Sequence, residues 1–482
     1  MTDMTELVEN VVRNFSIIAL VVGGFYLLAF VCAVREISAS RTSQGSIAWL
    51  VSLAFLPFPT AIIYLIFGWK HFDGYALTRM QVRQSRMLRS EDLAVIDREA
   101  GAAWPVQRRA AGMPFLAGNT AELLIDGEAT FESIFEGIAI AKTYIFVQFY
   151  ILRHDALGQR LAAALMERAR AGVSIYVLYD DVGSGGLSKE YRDRLRAEGI
   201  QIFSFNYRHR FLRVFGPTRI NYRNHRKTVV VDGKIAWTGG ANVGVEYLGE
   251  SKRFGHWRDT QLKLEGPAAS SVALIFQEDW LWATGVALAP PPPEPVEEPG
   301  DVSALVMATG PADKLEACPI AFADIIGQAK ERLWIVSPYF VPDTDMRTAL
   351  YAAILRGVDV RIMLPTKPDH IMVWLASNAH ADAMVEHDIA IYRYQKGFLH
   401  QKVLLMDDRM ASVGTVNFDN RSFAINFEMT VWMPNRKVID AVDKMLLTDI
   451  AKCRPVTKEE VQKRRRIPRF IAAAARLLSP IL

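Results

Sequence analysis

Two long apolar stretches near the start of the chain predict a membrane anchor. Phe15–Val34 and Ile47–Gly68 contain no charged residue, and each is about long enough to cross a ~30 Å hydrocarbon layer as a helix. A short polar connection separates them, so we predict a hairpin of two transmembrane helices at 15–34 and 47–68. Pro57 and Pro59 are expected to kink the second helix.

A cleaved signal peptide is the alternative for the first stretch. The residues before it carry Asp3, Glu6 and Glu9 against Arg13 alone, whereas a signal peptide begins with a positively charged region. An uncleaved anchor is therefore favoured. Basic residues are denser after the second stretch than between the two, and the positive-inside rule then predicts that everything after residue 69 lies in the cytoplasm.

After the anchor, strand-like and helix-like patterns alternate, and the series occurs twice. Residues 141–147 match 329–336, 172–178 match 357–364, and 199–202 match 388–391. We therefore predict an α/β fold with two tandem sandwich halves, in which helices cover each sheet and the halves form one catalytic body. The predicted organisation is an anchor at 1–70, a connecting segment at 71–115, a first half at 116–284, a proline-rich linker at 285–302, a second half at 303–455 and a basic amphipathic tail at 456–482.

Composition narrows the class of protein. Among 482 residues, 51% are hydrophobic and 22% are charged, which excludes a disordered chain. Three widely spaced cysteines cannot form a disulfide framework or a four-ligand zinc site. The net charge of +4 does not indicate a polybasic nucleic-acid binder.

One motif occurs in both halves at the same spacing. It reads H-x-K-x4-D, followed by a glycine and an asparagine: His225, Lys227, Asp232 and Asn242 in the first half, and His400, Lys402, Asp407 and Asn417 in the second. A single histidine on a strand is usually structural, but two of the nine histidines in register indicate a shared site. Strand alternation directs each aspartate away from its histidine, so a structural role is favoured for these two members of the catalytic motif.

The duplicated motif resembles the phospholipase D superfamily over nearly all of residues 116–482. Within it, the segments Asn417–Glu428, His256–Asp259 and Ala475–Pro480, together with the hairpin anchor, are similar to those of bacterial cardiolipin synthases. Gly240 departs from the pattern, because the family often has Ser or Thr where the second half has Thr415. We expect a weakened hydrogen bond at Gly240. The resemblance implies a multi-pass protein of the bacterial inner membrane.

The side chains suit transfer of a phosphodiester group. Lysines and asparagine amides offer donors to phosphoryl oxygens, so neither a metal nor another cofactor is expected. One neutral imidazole would attack phosphorus to form a phosphohistidine, and the other would protonate the leaving alcohol. The family assigns attack to the first histidine, His225. Arg223 and Arg226 are expected to lower the pKa of His225, while Glu428 is expected to raise that of His400.

Two carboxylates are candidates for orienting the histidines. The resemblance implies that Glu428 holds a histidine, and Asp259 occupies the comparable position after the first motif. The alternative for each is a solvated carboxylate on a strand.

Two basic segments are candidates for contact with a lipid surface. Residues 206–226 carry six arginines, among them Arg208, Arg210 and Arg213, interleaved with apolar residues and without an acidic one. A solvated loop is the alternative for this segment. The tail contains Lys463–Arg466 before an apolar stretch, and a terminal helix packed on the body is its alternative.

The resemblance implies a cardiolipin synthase, which joins two phosphatidylglycerol molecules and releases glycerol. A phospholipase D hydrolase and a synthase that uses phosphatidylethanolamine are alternatives within the same fold. A superfamily nuclease and a non-enzymatic membrane scaffold are disfavoured by the anchor and by the two intact motifs, respectively. We therefore expect a phospholipid substrate and a membrane, without nucleic acid. The oligomeric state stays open.

Overall fold

The computed structural model describes residues 2–38, 43–68, 72, 74–86, 95–206, 221–291, 299–313 and 315–463. The chain divides into two compact units. The anchor unit comprises Met1–Asp73 and His209–Asn221, and the main unit comprises Gly74–Arg208 and Tyr222–Leu482.

Three helices form the described part of the anchor unit: α1 (Thr2–Ser38), α2 (Ser43–Phe55) and α3 (Pro57–Phe67). Within α1, Val8–Ser38 is long and apolar enough to cross a membrane. The irregularity expected at the prolines lies at Leu56, directly before Pro57, where the chain leaves helical geometry with φ −132° and ψ 59°. A residue before proline is disfavoured in the helical region, and Pro57 instead begins a new helix. α2 and α3 are each shorter than a bilayer span.

The first half of the main unit is a sheet with flanking helices, preceded by three helices in the segment predicted to be a connection. Its elements are α4 (Tyr75–Arg86), α5 (Arg98–Ala103), α6 (Pro105–Ala111), β1 (Leu116–Ile125), α7 (Asp126–Ala139), β2 (Tyr144–Phe149), α8 (Ala156–Arg170), β3 (Ser174–Tyr179), α9 (Lys189–Ala197), β4 (Gln201–Ser204), β5 (Thr228–Val231), β6 (Ile235–Gly239), β7 (Trp257–Arg258), β8 (Thr260–Glu265) and α10 (Pro267–Thr284).

The second half repeats this series and ends in a short strand and helix. Its elements are β9 (Val302–Thr309), α11 (Ala317–Gln328), β10 (Arg332–Val336), β11 (Phe340–Val341), α12 (Thr344–Leu355), β12 (Asp359–Pro365), α13 (Ile371–Glu386), β13 (Ala390–Tyr394), β14 (Phe398–Leu399), β15 (Val403–Met406), β16 (Met410–Gly414), β17 (Phe418–Asp419), α14 (Asn420–Ala424), β18 (Glu428–Met433), α15 (Arg436–Ile450), β19 (Cys453–Pro455) and α16 (Lys458–Lys463).

Both halves contribute to one sheet of 15 strands, in the order β4-β3-β2-β5-β6-β8-β1-β9-β18-β16-β15-β10-β12-β13-β19. β1 and β9 pair antiparallel at the centre. Outward from that pair, β8, β6, β5, β2, β3 and β4 correspond in order to β18, β16, β15, β10, β12 and β13. The predicted α/β fold with two tandem halves is confirmed.

Helices cover both faces of the sheet. Side chains of α7, α8 and α9 pack on the first half, and those of α11, α12 and α13 pack on the second. On the other face, α10 and α15 share one apolar core that takes side chains from both halves. β2 is buried at every position, as expected for a strand covered on both faces. The two histidine motifs are thereby held by a single packed body.

Candidate active site

The two histidines lie just before equivalent strands, His225 before β5 and His400 before β15. Their backbone partners come from the opposite half. The His225 N–H donates to the carbonyl of Phe427 at 2.9 Å, and the His400 N–H donates to the carbonyl of Arg258 at 2.8 Å. Each histidine segment therefore pairs with the residue that precedes the carboxylate of the other half.

Each histidine is consequently bonded by the carboxylate of the other half. His225 Nδ1 lies 2.9 Å from Glu428 Oε2, and His400 Nδ1 lies 2.7 Å from Asp259 Oδ2. All four side chains are at least 90% buried. The expected partnership of Glu428 with His400 is wrong, because strand pairing between the halves brings Glu428 to His225.

Both imidazoles have the same protonation pattern. Burial, the largest influence, lowers the pKa of His225 and of His400 to about 4, so both rings are neutral at neutral pH. The two histidines hold the pKa of Glu428 and of Asp259 below their ordinary values although burial opposes this. Ionised carboxylates only accept hydrogen bonds, so each histidine donates from Nδ1 and keeps a lone pair on Nε2.

The expected contrast between the two histidine pKa values is therefore wrong. Burial acts on both rings, and the charges of Lys227 and Lys402 add to it. Arg226 does not crowd His225, because its guanidinium group donates to Asp279 Oδ1 at 2.7 Å.

The lysines of the motif are buried beside the histidines. Lys227 Nζ donates to the His225 carbonyl at 2.5 Å, and Lys402 Nζ donates to the His400 carbonyl. Burial lowers the pKa of Lys227 well below its ordinary value and that of Lys402 to about 8, although Glu428 and Asp259 oppose this. Such ammonium groups gain from a bound anion, which replaces the lost hydration. Among the described residues, no group of three His, Cys, Asp or Glu could hold a metal ion.

The aspartates of the motif bind backbone rather than line the site. Asp232 accepts from three successive backbone N–H groups, Lys142 to Tyr144, at 2.8–2.9 Å. Asp407 accepts in the same way from Lys330 to Arg332. Both have positive φ, 50° and 48°. Their inclusion in the catalytic set is corrected: they join the hairpin turn to the start of the neighbouring strand.

The two asparagines have different surroundings. Asn242 Oδ1 accepts from the Ile151 N–H at 3.0 Å, and its Nδ2 donates to the Tyr247 hydroxyl at 2.7 Å. Asn417 is 4% exposed, and its Oδ1 has no hydrogen-bond donor among the described residues. One N–H of Asn242 and the amide of Asn417 are thus left for a ligand.

Gly240 is explained by the length of the carboxylate beside it. At the equivalent position, the Thr415 hydroxyl donates to Glu428 Oε2 at 2.5 Å. A Cβ at Gly240 would lie 1.9 Å from Asp259 Oδ1. The shorter aspartate fills the space that a threonine side chain would need. Asp259 is bonded instead by the Thr260 N–H at 2.9 Å and approached by Trp257 Nε1 at 3.4 Å.

This coupling gives a testable reciprocity. Gly240→Thr is expected to lower activity about 10- to 100-fold, because it displaces the carboxylate that orients His400. Combining it with Asp259→Glu should restore part of the loss, since the pair would then match Thr415 and Glu428. Steady-state rates of the two single variants and the double variant check this. Additive losses in the double variant would contradict the coupling.

A buried network behind His225 could not be found from the sequence motifs. Asp279 on α10 accepts from Arg226, Tyr75 Oη, Gln148 and Asn224 at 2.5–2.9 Å. Arg226 Nε also donates to the Glu428 carbonyl at 3.0 Å. In the sequence, this network is indicated only by Arg226, which lies between His225 and Lys227 of the first motif.

The connecting segment joins this network through Tyr75 on α4, and two further ion pairs hold the same helix. Arg83 on α4 donates to Glu278 at 2.6 Å, and Arg79 donates to Asp313 at 2.6 Å. Two of the basic residues that follow the anchor, Arg79 and Arg83, are therefore bound to carboxylates of the main unit. The lipid-surface residues Arg208, Arg210 and Arg213 lie outside the described residues, as does the tail beyond Lys463.

The chain is similar to known proteins over nearly its whole length. A family model described as "Cardiolipin synthase, PLD-like domain" matches residues 134–280 and 322–450, and one described as "Phospholipase D-nuclease N-terminal" matches 25–69. Cardiolipin synthase A of Pseudomonas aeruginosa is 42% identical over 475 residues, which are 96% of each chain. Cardiolipin synthase A of Pseudomonas putida is 42% identical over 473 residues, 96% of this chain and 98% of that one.

A solved structure shares the fold. The phosphatidylserine synthase of Haemophilus influenzae superposes with a TM-score of 0.60 at 16% identity, over 78% of this chain and 99% of that chain.

Proposed function

Because the chain belongs to the cardiolipin synthase family of phospholipase D-like phosphatidyltransferases, we propose that it joins two phosphatidylglycerol molecules into cardiolipin and glycerol through a phosphohistidine. One observation carries the proposal: two buried histidines from the two halves, each bonded at Nδ1 to a carboxylate, each beside a buried lysine. This arrangement leaves two Nε2 atoms for an in-line exchange at phosphorus.

In the first step, Nε2 of His225 attacks the phosphorus of the donor lipid. The P–N bond forms, the P–O bond to glycerol breaks, and His400 gives its Nε2 proton to the departing oxygen. Lys227 and Lys402 balance the charge on the phosphoryl oxygens. The products of this step are glycerol and a phosphatidyl group on His225.

In the second step, a hydroxyl of another phosphatidylglycerol gives its proton to His400. Its oxygen attacks phosphorus, the P–N bond breaks, and cardiolipin leaves. His225 is again neutral and His400 is again protonated for the next donor. The assignment of attack to His225 follows the family; the environments of the two rings are alike in burial and in pKa.

The proton on His400 should arrive with the substrate. In the free protein the pKa of both histidines is about 4, and a bound anion raises the pKa of a neighbouring imidazole. Binding of diethyl phosphate, a monoanion throughout, should therefore take up protons. Its affinity should fall by up to about tenfold per pH unit as pH rises from ~5 to ~8. Calorimetry across this range, in buffers of different ionisation enthalpy, checks this. An affinity independent of pH would contradict it.

The reaction itself is tested with purified protein and labelled phosphatidylglycerol, with and without phosphatidylethanolamine. Cardiolipin and glycerol in equal amounts from phosphatidylglycerol alone are expected. Phosphatidic acid as the main product would indicate a hydrolase, and a requirement for phosphatidylethanolamine would indicate the other donor. A nuclease assay of the same preparation tests the superfamily alternative.

The chain is membrane-associated, and we infer a multi-pass anchor with the main unit in the cytoplasm. The apolar α1, the uncharged stretch 47–68 that α2 and α3 cover in succession, and the basic residues after the anchor support this. Protease accessibility of the C-terminal region in spheroplasts and in inverted vesicles tests the orientation. Digestion of that region in intact spheroplasts would contradict it.

Arg208, Arg210 and Arg213 are proposed to bind anionic lipid. Neutralising all three should weaken binding to phosphatidylglycerol vesicles by about 1 kcal/mol per residue, and salt should reduce the difference. Turnover at saturating lipid should change less. Neutralising three exposed residues elsewhere, Lys189, Arg194 and Lys437, provides the control. If the two triple variants bind vesicles with equal affinity, the three arginines do not bind lipid and the alternative of a solvated loop holds.

A further inference from the structure

The two histidines have different side chains beside them. Beside His225, the Tyr150 ring lies 5.0 Å from the imidazole, and the charges of Asp180, Arg223 and Arg421 act on the Tyr150 hydroxyl. That side carries two guanidinium groups together with the buried carboxylate of Asp180. Beside His400 stands a different pair, Tyr339 and Asp369, which offers acceptors.

Tyr339 and Asp369 are held together next to the second motif. The Tyr339 hydroxyl donates to Asp369 Oδ2. Tyr339 directly precedes β11 and Asn417 directly precedes β17, and these two short strands pair in register, Phe340 with Phe418. Tyr339 is therefore a neighbour of Asn417, whose buried Oδ1 has no donor among the described residues. The Asn417 amide and the bonded pair of Tyr339 and Asp369 are thus carried by adjacent positions of the two strands.

The pair also lies close to the reacting groups. Asp369 is one of the carboxylates whose charge acts on Lys402, and Tyr339 interacts electrostatically with Tyr247. The Tyr247 ring lies 5.9 Å from that of His400. The acceptors thus belong to the side of the site where His400 would exchange a proton with an alcohol.

Asp369 has no ion-pair partner in the described parts of the chain. Among the described residues, the His370 N–H donates to Asp369 Oδ1 at 2.7 Å, and Arg253 Nη2 donates to the Asp369 backbone carbonyl at 3.2 Å, so both carboxylate oxygens keep lone pairs for a further donor. An anionic group beside a phosphate site weakens phosphate binding. A ligand with hydroxyl groups would offset this cost, because hydroxyls donate to a carboxylate and carry no negative charge.

We propose that Tyr339 and Asp369 form the subsite for the glycerol headgroup. Resting on the proposed function, this subsite binds the glycerol that leaves the donor and then the glycerol moiety of the acceptor lipid. Both alcohols occupy it because each exchanges its proton with His400, on the same side of phosphorus. Glycerol is thereby selected over water and over simple alcohols.

The test uses partition of one intermediate between two alcohols. Phosphatidylglycerol in mixed micelles is incubated with isotope-labelled glycerol and 1-propanol, and labelled phosphatidylglycerol and phosphatidylpropanol are measured by mass spectrometry. Both products arise from the same phosphohistidine, so their ratio is independent of the donor step. The proteins are wild type, Tyr339→Phe, Asp369→Asn and, as a control, Asp345→Asn, an exposed carboxylate on α12.

The wild-type and control proteins should prefer glycerol. Both subsite variants should lose at least about tenfold of that preference while still forming phosphatidylpropanol, because a site built for hydroxyls discriminates by leaving its acceptors unpaired. Cardiolipin should fall and phosphatidic acid should rise. An unchanged ratio would overturn the proposal. So would inactivity toward both alcohols, which would assign the pair to the fold or the chemistry.

A parallel experiment with phosphatidylethanolamine as donor tests whether the pair binds the hydroxyls of glycerol or an ammonium group. If the variants lose transfer from that lipid and keep their preference for glycerol, the pair binds an ammonium group and the proposal fails. Cardiolipin formation by the wild type tests the proposed function separately, because the subsite is judged by the ratio of variant to wild type.

Discussion

Replacing either His225 or His400 by alanine should lower phosphatidyl transfer by several orders of magnitude. The double variant should lose little more, because residues that act as one unit are not additive. Initial rates of cardiolipin formation check this, with circular dichroism as the control for folding. A single variant with near-normal synthesis would contradict the mechanism with two histidines.

The same variants distinguish the two roles. With an activated donor whose leaving group needs no proton, His400→Ala should still form a covalent lipid adduct, whereas His225→Ala should not. Mass spectrometry after acid quench locates the adduct. A phosphoryl group on residue 400 would reverse the roles and leave the reaction class intact.

Replacing Glu428 by Gln or Asp259 by Asn should cost about 10³- to 10⁴-fold in rate. An amide can donate to Nδ1, which moves the imidazole proton to Nε2, the atom that must attack or accept a proton. Glu265→Gln is the control for Asp259, because Glu265 lies on the adjacent β8 and is partly exposed. Rates within about tenfold of wild type would show that the carboxylates do not set the tautomer.

The exchange of carboxylates between the halves makes this second prediction specific. Because Glu428 bonds His225, Glu428→Gln should block adduct formation from the activated donor, as His225→Ala does. Because Asp259 bonds His400, Asp259→Asn should still form the adduct. The opposite pattern would mean that each carboxylate serves the histidine of its own half.

Much of the fold was predictable because it depends on local patterns. The alternation of helices with apolar strands, repeated in both halves, indicated the tandem α/β fold, since burial on both faces demands continuous apolar strands such as β2. The turn after Asp232 was also predictable, because aspartate followed by glycine tolerates a positive φ.

The break at Leu56 shows the limit of hydropathy as a guide to the anchor. Apolar composition continues through Pro57, so the stretch resembles one span. The backbone restriction before proline divides it into α2 and α3.

The sequence by itself determined the chemical groups of the site, which are two histidines, two lysines and two carboxylates. Their identities and their spacing are properties of the sequence and do not depend on the fold. The tertiary structure decided which carboxylate serves which histidine. The choice follows from backbone pairing of His225 with Phe427 and of His400 with Arg258, between segments about 140–200 residues apart. It likewise decided that Gly240 must lack a side chain, because only the packed site reveals that Asp259 occupies the space. Contacts between distant segments depend on packing, and no local pattern encodes them.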